Sequence, residues 1–98
     1  MKPQTMQELQ LVAIERQRQD EKWGADRTLP WGDWPLILGE EVGELQRAML
    51  ESRFAENPTV ALAHIINEAV QVAAVAVALV EDARRRIAGV PGMEDVAR

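Results

Sequence analysis

The chain has 98 residues, a formal net charge of -5 at pH 7 and no cysteine. This length accommodates one domain with a modest hydrophobic core. An acidic chain with no face rich in Lys and Arg lacks the charge that phosphate-backbone binding requires, so no nucleic-acid partner is expected. The absence of cysteine excludes disulfides and thiolate chemistry.

The first predicted element is an α-helix over about residues 5–20. Thr5 followed by Glu8 matches a capping box, and Leu9 and Val12 begin a stripe at helical spacing. The apolar periodicity stops after residue 20, which predicts the end of the helix there.

A long connection precedes the second helix. Residues 21–34 contain three tryptophans, two glycines and a proline, and this stretch exceeds the usual length of a helix–helix connection. Long ordered loops of this kind are often functional. Asp33 is the predicted N-cap of a helix over about residues 33–54, with Pro35 in its first turn.

Asn57 and Pro58 predict the start of a third helix, over about residues 57–87. A glycine and a proline shortly after it provide a stop signal. Residues 1–88 are therefore expected to form a single helical domain, followed by a loose tail at 89–98.

The third helix is apolar on nearly every side between residues 69 and 80. Two further helices of the same chain cannot cover it, so a second subunit is expected to do so. The predicted fold class is all-α: a helical bundle of three long helices per chain, completed by oligomerisation to a dimer or tetramer.

No membrane partner is expected, although residues 62–80 approach the length of a membrane span. His64, Asn67, Glu68 and Gln71 interrupt this apolar stretch. The first ten residues lack the basic segment and apolar run of a secretory signal, so a cytoplasmic location is predicted.

Acidic residues interrupt the apolar arc of the second helix. On a helical wheel the arc contains Leu38 and Val42, and Glu41 falls inside it. Glu44 lies at the margin of the arc and Glu40 further round. Like charges one turn apart repel by roughly 0.2–0.5 kcal/mol per exposed pair, and a divalent cation that prefers oxygen ligands would offset this repulsion.

The third helix has a matching polar stripe. His64, Glu68 and Gln71 are spaced i, i+4 and i+7, with Asn67 beside them. On an otherwise apolar helix these side chains need polar partners, and the acidic face of the second helix is the expected one.

Each of these features also has a simpler interpretation. The glutamates at 40, 41 and 44 can form a solvated helix face with salt bridges to arginines such as Arg47. His64 can be a hydrogen-bonded structural histidine, and the tryptophans can be core or interface anchors. The arginines at 84–86 suit the C-terminal end of a helix.

Three segments together resemble the MazG-like branch of the all-α nucleoside triphosphate pyrophosphohydrolases. Residues 15–24 read ERQRQDEKWG, residues 34–45 read WPLILGEEVGEL, and residues 67–76 read NEAVQVAAVA. The resemblance extends to about residue 82. It implies Mg2+ as the cofactor, with Mn2+ as an alternative, and a nucleoside triphosphate as the substrate.

The resemblance also implies a metal site. In that superfamily a Glu-x-x-Glu pair on one helix and a Glu-x-x-Asp pair on the next hold magnesium, and Glu41, Glu44 and Glu68 match three of these positions. Gln71 stands where the pattern has Asp. An amide oxygen can ligate magnesium but contributes no negative charge, so this residue is expected to limit metal affinity.

The implied reaction is the attack of a metal-activated water on the α-phosphorus, which gives a nucleoside monophosphate and pyrophosphate. Glu40 and Glu41 are the expected catalytic residues, with Glu40 as the base or an outer ligand. The expected substrate contacts are Gln19, Lys22, Trp23 and His64.

Three functions are therefore open. The leading expectation is a magnesium-dependent pyrophosphohydrolase that removes non-standard or surplus nucleoside triphosphates. The second is a nucleotide sensor that keeps the pocket but has lost turnover through the amide at residue 71. The third is a helical interaction protein that binds neither metal nor nucleotide.

Overall fold

The computed structural model describes residues 1–90, which form three α-helices: α1 (Pro3–Trp23), α2 (Asp33–Glu51) and α3 (Pro58–Ala88). A 3₁₀ turn joins α2 to α3, and no strand occurs within the described residues. The predicted all-α fold is confirmed. α3 packs against both α1 and α2, which do not pack directly against each other. α3 is therefore the central element of the bundle.

The start of α1 differs from the prediction. The helix begins at Pro3, and its N-cap residue, Lys2, makes no capping hydrogen bond through its side chain. The predicted capping box of Thr5 and Glu8 is wrong, because both residues lie inside the helix. The ring of Pro3 fixes a helical φ and removes a backbone N–H that would have no partner, so proline starts this helix.

The end of α1 and the start of α2 are also shifted by one to three residues. α1 continues to Trp23 and stops at Gly24, whose φ of 96° favours glycine and whose N–H donates to the carbonyl of Asp20 at 2.8 Å. Gly32 is the N-cap of α2 and makes no side-chain hydrogen bond. Asp33 is therefore the first residue of the helix and not its cap. At this position its negative charge still interacts favourably with the helix dipole.

The start of α3 is as predicted. The Asn57 side chain accepts hydrogen bonds from the backbone N–H of Thr59 at 3.1 Å and of Val60 at 3.3 Å. Gly89 follows the last helical residue. Most of the predicted loose tail, from residue 91 onward, lies outside the described residues.

The buried apolar core of residues 1–90 is small. It consists of Trp34 and Ala48 of α2 with Ala74 and Val75 of α3. The core therefore lies where α2 meets α3, and it provides the rigid contact from which the neighbouring polar side chains project.

Most of α3 lies outside this core. By length and composition α3 could cross a membrane: its most apolar 18-residue window has a mean hydropathy of 1.7, and only 17% of that window is buried. The core helix of a larger helical assembly has the same composition. The predicted cytoplasmic location and the absence of a membrane partner stay predictions.

Candidate metal centre

Three carboxylates from two helices meet in what we call the acidic cluster: Glu41 and Glu44 of α2 and Glu68 of α3. One oxygen from each lies within 4.8 Å of those from the other two. Glu41 and Glu44 share a face because they are one turn apart, and Glu68 projects from α3 toward the same point. The predicted convergence of these side chains is observed.

Burial within the acidic cluster increases from α2 to α3. Glu44 is exposed and Glu41 is half-buried, whereas Glu68 is only 9% exposed. The Oε2 atoms of Glu41 and Glu68 are fully buried and have no hydrogen-bond partner in the described part of the chain. Buried polar atoms are normally paired, so these two oxygens lack a partner that folding usually supplies.

Burial and mutual repulsion disfavour the simultaneous ionisation of all three glutamates in the acidic cluster. The pKa of Glu41 is raised above its ordinary value, first by burial and then by the negative charges of Glu44, Glu68, Glu40 and Glu15. A bound cation would reverse both effects, because it would replace lost hydration and neutralise the repulsion.

The simpler interpretation of a solvated, salt-bridged face at Glu40, Glu41 and Glu44 is met in part. Glu40 and Glu44 are exposed, as it requires, and Glu41 is half-buried. Among residues 1–90, however, no Lys or Arg forms an ion pair with the acidic cluster, and Arg47 does not supply one.

The acidic cluster has the donor set of a site for a hard divalent cation. Carboxylate oxygens are the preferred ligands of Mg2+, and an ion at this point would neutralise the repulsion among the three carboxylates. Gln71 lies one turn after Glu68 on α3 and is half-buried. Its amide oxygen is the neutral ligand that the sequence predicts, and that role stays a prediction.

A cavity of about 210 Å³ adjoins the acidic cluster. Glu40 and Glu41 line it, so the cavity reaches one of the three candidate ligands, Glu41. Its other lining residues come from all three helices and the α1–α2 connection: Gln19, Trp23, Arg27, Trp34, Ile37, Val75 and Ala78. The structure thus brings two of the predicted substrate contacts, Gln19 and Trp23, to the predicted catalytic glutamates.

The Trp23 ring is flanked by two cations. The Nζ atom of Lys22 lies 4.6 Å from the ring centroid, and the guanidinium carbon of Arg27 lies 4.7 Å from it. Such contacts hold positive charge beside an aromatic surface. Lys22 does not line the cavity, so its predicted contact with substrate stays a prediction.

His64 lies elsewhere. It lines a separate groove of about 340 Å³ with Ala48, Glu51 and Ser52, where α2 ends and α3 begins. Since α2 and α3 run antiparallel, residues earlier on α3 than Glu68 face later turns of α2. The correct helical spacing therefore does not bring His64 to the cavity beside the acidic cluster.

Sequence reasoning missed three residues near the site. Arg27 and Trp34 line the cavity, and Glu15 of α1 contributes to the raised pKa of Glu41. A signal for Glu15 was available, because Glu15, Gln19 and Trp23 are spaced i, i+4 and i+8 on one face of α1. The position of Arg27 depends on the irregular connection, for which periodicity gives no direction, and Trp34 was expected only as a core or interface anchor.

Comparison of the chain with protein-family models, curated proteins and solved structures gives no significant match. The likeness to the MazG-like branch thus rests on the three sequence segments alone.

Proposed function

We propose that the chain is a magnesium-dependent nucleoside triphosphate pyrophosphohydrolase of the MazG-like kind. The observation that carries this proposal is the acidic cluster, in which the buried Oε2 atoms of Glu41 and Glu68 have no partner within residues 1–90. Leaving such atoms unpaired costs about 1–3 kcal/mol each, so a site of this composition favours a ligand that is a cation.

The neighbouring cavity supports a nucleotide as the second ligand. Trp23 offers an exposed aromatic surface to a base, and Arg27 offers a guanidinium to a base or phosphate. Gln19 offers an amide donor and acceptor. An apolar wall with a few polar groups, open to a cluster of metal-binding residues, is typical of a cofactor or substrate site.

In this proposal Glu41, Glu44 and Glu68 hold Mg2+, which when bound supplies an activated water and neutralises charge on the phosphates. Glu40 is exposed and lines the cavity beside Glu41, so its carboxylate can accept a proton from water without being a direct ligand. The products are a nucleoside monophosphate and pyrophosphate.

A nucleotide sensor without turnover is the second candidate, and Gln71 favours it. The amide leaves the site one negative charge short of four carboxylates. In that case triphosphate and metal bind, but the phosphorus–oxygen bond is not broken.

The test is pyrophosphate release from a panel of common and modified nucleoside triphosphates with Mg2+ or Mn2+, accompanied by measurement of nucleotide binding. We expect release by the wild-type protein and its loss in Glu68→Gln, whereas Glu51→Gln, an equal charge change at an exposed position of α2, retains it. Binding without release favours the sensor. Neither binding nor release would reject both candidates and favour an interaction protein.

We also propose that the protein functions as a homo-oligomer built on α3. A stripe with repeats of three and four residues follows one side of this helix, with large side chains at both ends and two alanines between them: Leu62, Ile66, Ala69, Ala73, Val77 and Val80. The four large members are 40–58% exposed. The middle members Ile66, Ala69 and Ala73 line a groove of about 270 Å³ between α3 and α1. An apolar stripe of this length and exposure favours a partner of the same kind.

The symmetric order of the stripe specifies a second copy of this chain. In an antiparallel two-fold pairing, Leu62 lies against the partner subunit's Val80, and the alanines of both copies meet at the centre. Small residues at the centre allow the two helices to approach closely, while the large ones fill the space toward the ends.

Sedimentation at micromolar concentration tests this assembly. Ala73→Glu places a charge at the centre of the stripe and should give an 11.0 kDa monomer, whereas the matched Ala13→Glu on the exposed side of α1 should not change the wild-type oligomer. A compact, stable wild-type monomer would contradict the proposal.

A further inference from the structure

A second buried carboxylate lies near the other end of α3. Asp82 is 1% exposed, and its Oδ2 accepts hydrogen bonds from the Trp34 indole N–H at 2.7 Å and from Arg86 at 3.1 Å. A guanidinium nitrogen of Arg85 lies 3.9 Å from Oδ1. Asp82 has no place in the proposed chemistry, yet it is the most deeply buried charged residue among those described.

The two arginines beside Asp82 also hold the α1–α2 connection. Arg85 donates to the carbonyl of Arg27 at 3.1 Å, and Arg86 donates to the carbonyl of Leu29. The Arg86 guanidinium carbon also lies 5.0 Å from the centroid of the Trp31 ring. The connection is therefore tied to the C-terminal part of α3 by backbone and ring contacts.

These contacts reach the cavity beside the acidic cluster. Trp34 and Arg27 both line that cavity. Trp34 donates a hydrogen bond to Asp82, and the Arg27 carbonyl accepts one from Arg85, which pairs with Asp82. A smaller cavity of about 20 Å³, enough for one water molecule, is lined by Arg85, Trp23 and Trp34 among other residues. The aromatic side of the larger cavity thus depends on contacts that converge on one carboxylate.

We infer that Asp82, Arg85 and Arg86 form a clasp that holds the α1–α2 connection as a wall of the nucleotide cavity. Asp82 is a positioning residue in this scheme: it orients Trp34 directly, and it orients the connection through the two arginines. The inference rests on the proposed function for the identity of the ligand, but the clasp itself is a property of the fold. Opening the clasp would move Arg27 and Trp34 while leaving the acidic cluster in place.

Limited trypsin digestion tests the clasp without any nucleotide. In Asp82→Ala we expect cleavage after Arg27 to accelerate by about tenfold, because local opening of the connection exposes this bond. Asp82→Asn keeps an acceptor for Trp34 but loses the charge that pairs with the arginines, so its cleavage rate should be intermediate. Glu81→Gln is the matched control, since Glu81 is an exposed neighbour that pairs with Arg16 on α1.

Fluorescence of Trp34 provides a second readout. In a background where Trp23 and Trp31 are replaced by Phe, the buried Trp34 should emit at short wavelength, and Asp82→Ala should shift its emission to the red. Unchanged emission together with control-level cleavage after Arg27 would overturn the inference. If Asp82→Ala unfolds and is cleaved throughout its helices, Asp82→Asn decides the question by the same two measurements, and Trp34→Phe decides it by the rate of cleavage after Arg27.

The functional consequence is measured on the triphosphate that the wild-type protein hydrolyses fastest. Asp82→Asn should raise KM about tenfold, with kcat and the Mg2+ requirement changed by less than about twofold, because ligand positioning is affected and the metal ligands are not. An equal loss of kcat and of metal affinity would contradict a role confined to the cavity wall. If no triphosphate is hydrolysed or bound, the proposed function fails, and the digestion and fluorescence results still decide whether the clasp exists.

Discussion

The acidic cluster and the clasp place buried carboxylates on the same helix in opposite environments. Glu68 and Asp82 are fourteen residues apart on α3, about 21 Å along its axis. Glu68 meets two other glutamates and keeps an unpaired buried oxygen. Asp82 receives hydrogen bonds from an indole and a guanidinium at Oδ2, and its Oδ1, which has no hydrogen bond within residues 1–90, lies 3.9 Å from a guanidinium nitrogen of Arg85.

The pKa shifts follow this difference. Burial raises the pKa of Asp82, but hydrogen bonds from Arg86 and Trp34 and the arginine charges outweigh it, so the net pKa is lowered. Burial and like charges act in the same direction on Glu41, so its pKa is raised. The difference lies in the neighbouring charges: the protein itself places two arginines beside Asp82, whereas Glu41 and Glu68 have carboxylates beside them, an arrangement that favours a cation from outside.

The strongest test of this comparison replaces each buried carboxylate by its amide. Asp82→Asn should lower the free energy of unfolding by about 1.5–3 kcal/mol, because it removes the charge that accepts the hydrogen bonds of Trp34 and Arg86 at a buried position. Glu68→Gln, in metal-free protein, should change it by less than about 1 kcal/mol or stabilise the fold, because it removes repulsion. Urea denaturation at fixed protein concentration measures both, and equal losses would show that the two environments do not differ.

Patterns in the sequence predict the acidic cluster but not the clasp, and the reason is the range of the contacts. Glu41 and Glu44 are one turn apart, and Glu68 belongs to a polar stripe on an apolar helix, so periodicity indicates that the two polar faces meet, while the family resemblance selects these three residues. Trp34 and Asp82 are separated by 48 positions, and no local pattern associates them. The arginines near Asp82 fitted a helix C-terminus, which concealed their contacts with the connection.

The positions at the helix ends also divide into those that a local signal predicts and those that it does not. Asn57 and Pro58 form a local signal with no competitor, so the start of α3 was predicted correctly. At α1 two signals compete, and Pro3 starts the helix before the capping box can act. His64 has the spacing to join Glu68, but the antiparallel course of α2 places it opposite the end of that helix, which periodicity on one helix cannot reveal.

The second prediction sharpens the proposal that the acidic cluster is short of one charge. Gln71→Asp adds a carboxylate one turn after Glu68, so magnesium should bind more tightly, by about tenfold or 1.4 kcal/mol. Pyrophosphate release should then reach half of its maximal rate at a lower Mg2+ concentration. Gln46→Asp, at an exposed position of α2, is the control for added charge. Unchanged or weaker Mg2+ binding would remove residue 71 from the site.

The third prediction, a smaller effect, concerns the charge of Glu41, whose removal should change stability in opposite directions with and without metal. Glu41→Gln removes a like charge and should stabilise the metal-free protein by on the order of 0.5 kcal/mol. With saturating Mg2+ the wild-type protein should instead be more stable than Glu41→Gln, because only the wild-type protein gains the full stabilisation of a bound ion. Thermal denaturation with EDTA and with Mg2+ measures both conditions, and Glu51→Gln should show no reversal. A wild-type protein whose melting temperature does not respond to Mg2+ or Mn2+ would argue against a metal site.

The smallest expected effect is the opposite pH dependence of the two regions. The pKa of Glu41 in the folded state is raised above its ordinary 4.5, so its favourable contribution is present at low pH and is lost as the pH rises through that raised value. The folded-state pKa of Asp82 is lowered from 3.8, so its contribution is present above about pH 4 and is lost as the pH falls further.

Without metal, the stability of the wild-type protein relative to Glu41→Gln should therefore increase as the pH falls from 7 toward 5. The stability of the wild-type protein relative to Asp82→Asn should stay constant over that interval and decrease only below about pH 4. Saturating Mg2+ should hold Glu41 ionised and suppress the first trend while leaving the second intact. If both differences change with pH in the same direction, the contrast between a carboxylate that needs a cation and one that the fold satisfies is wrong.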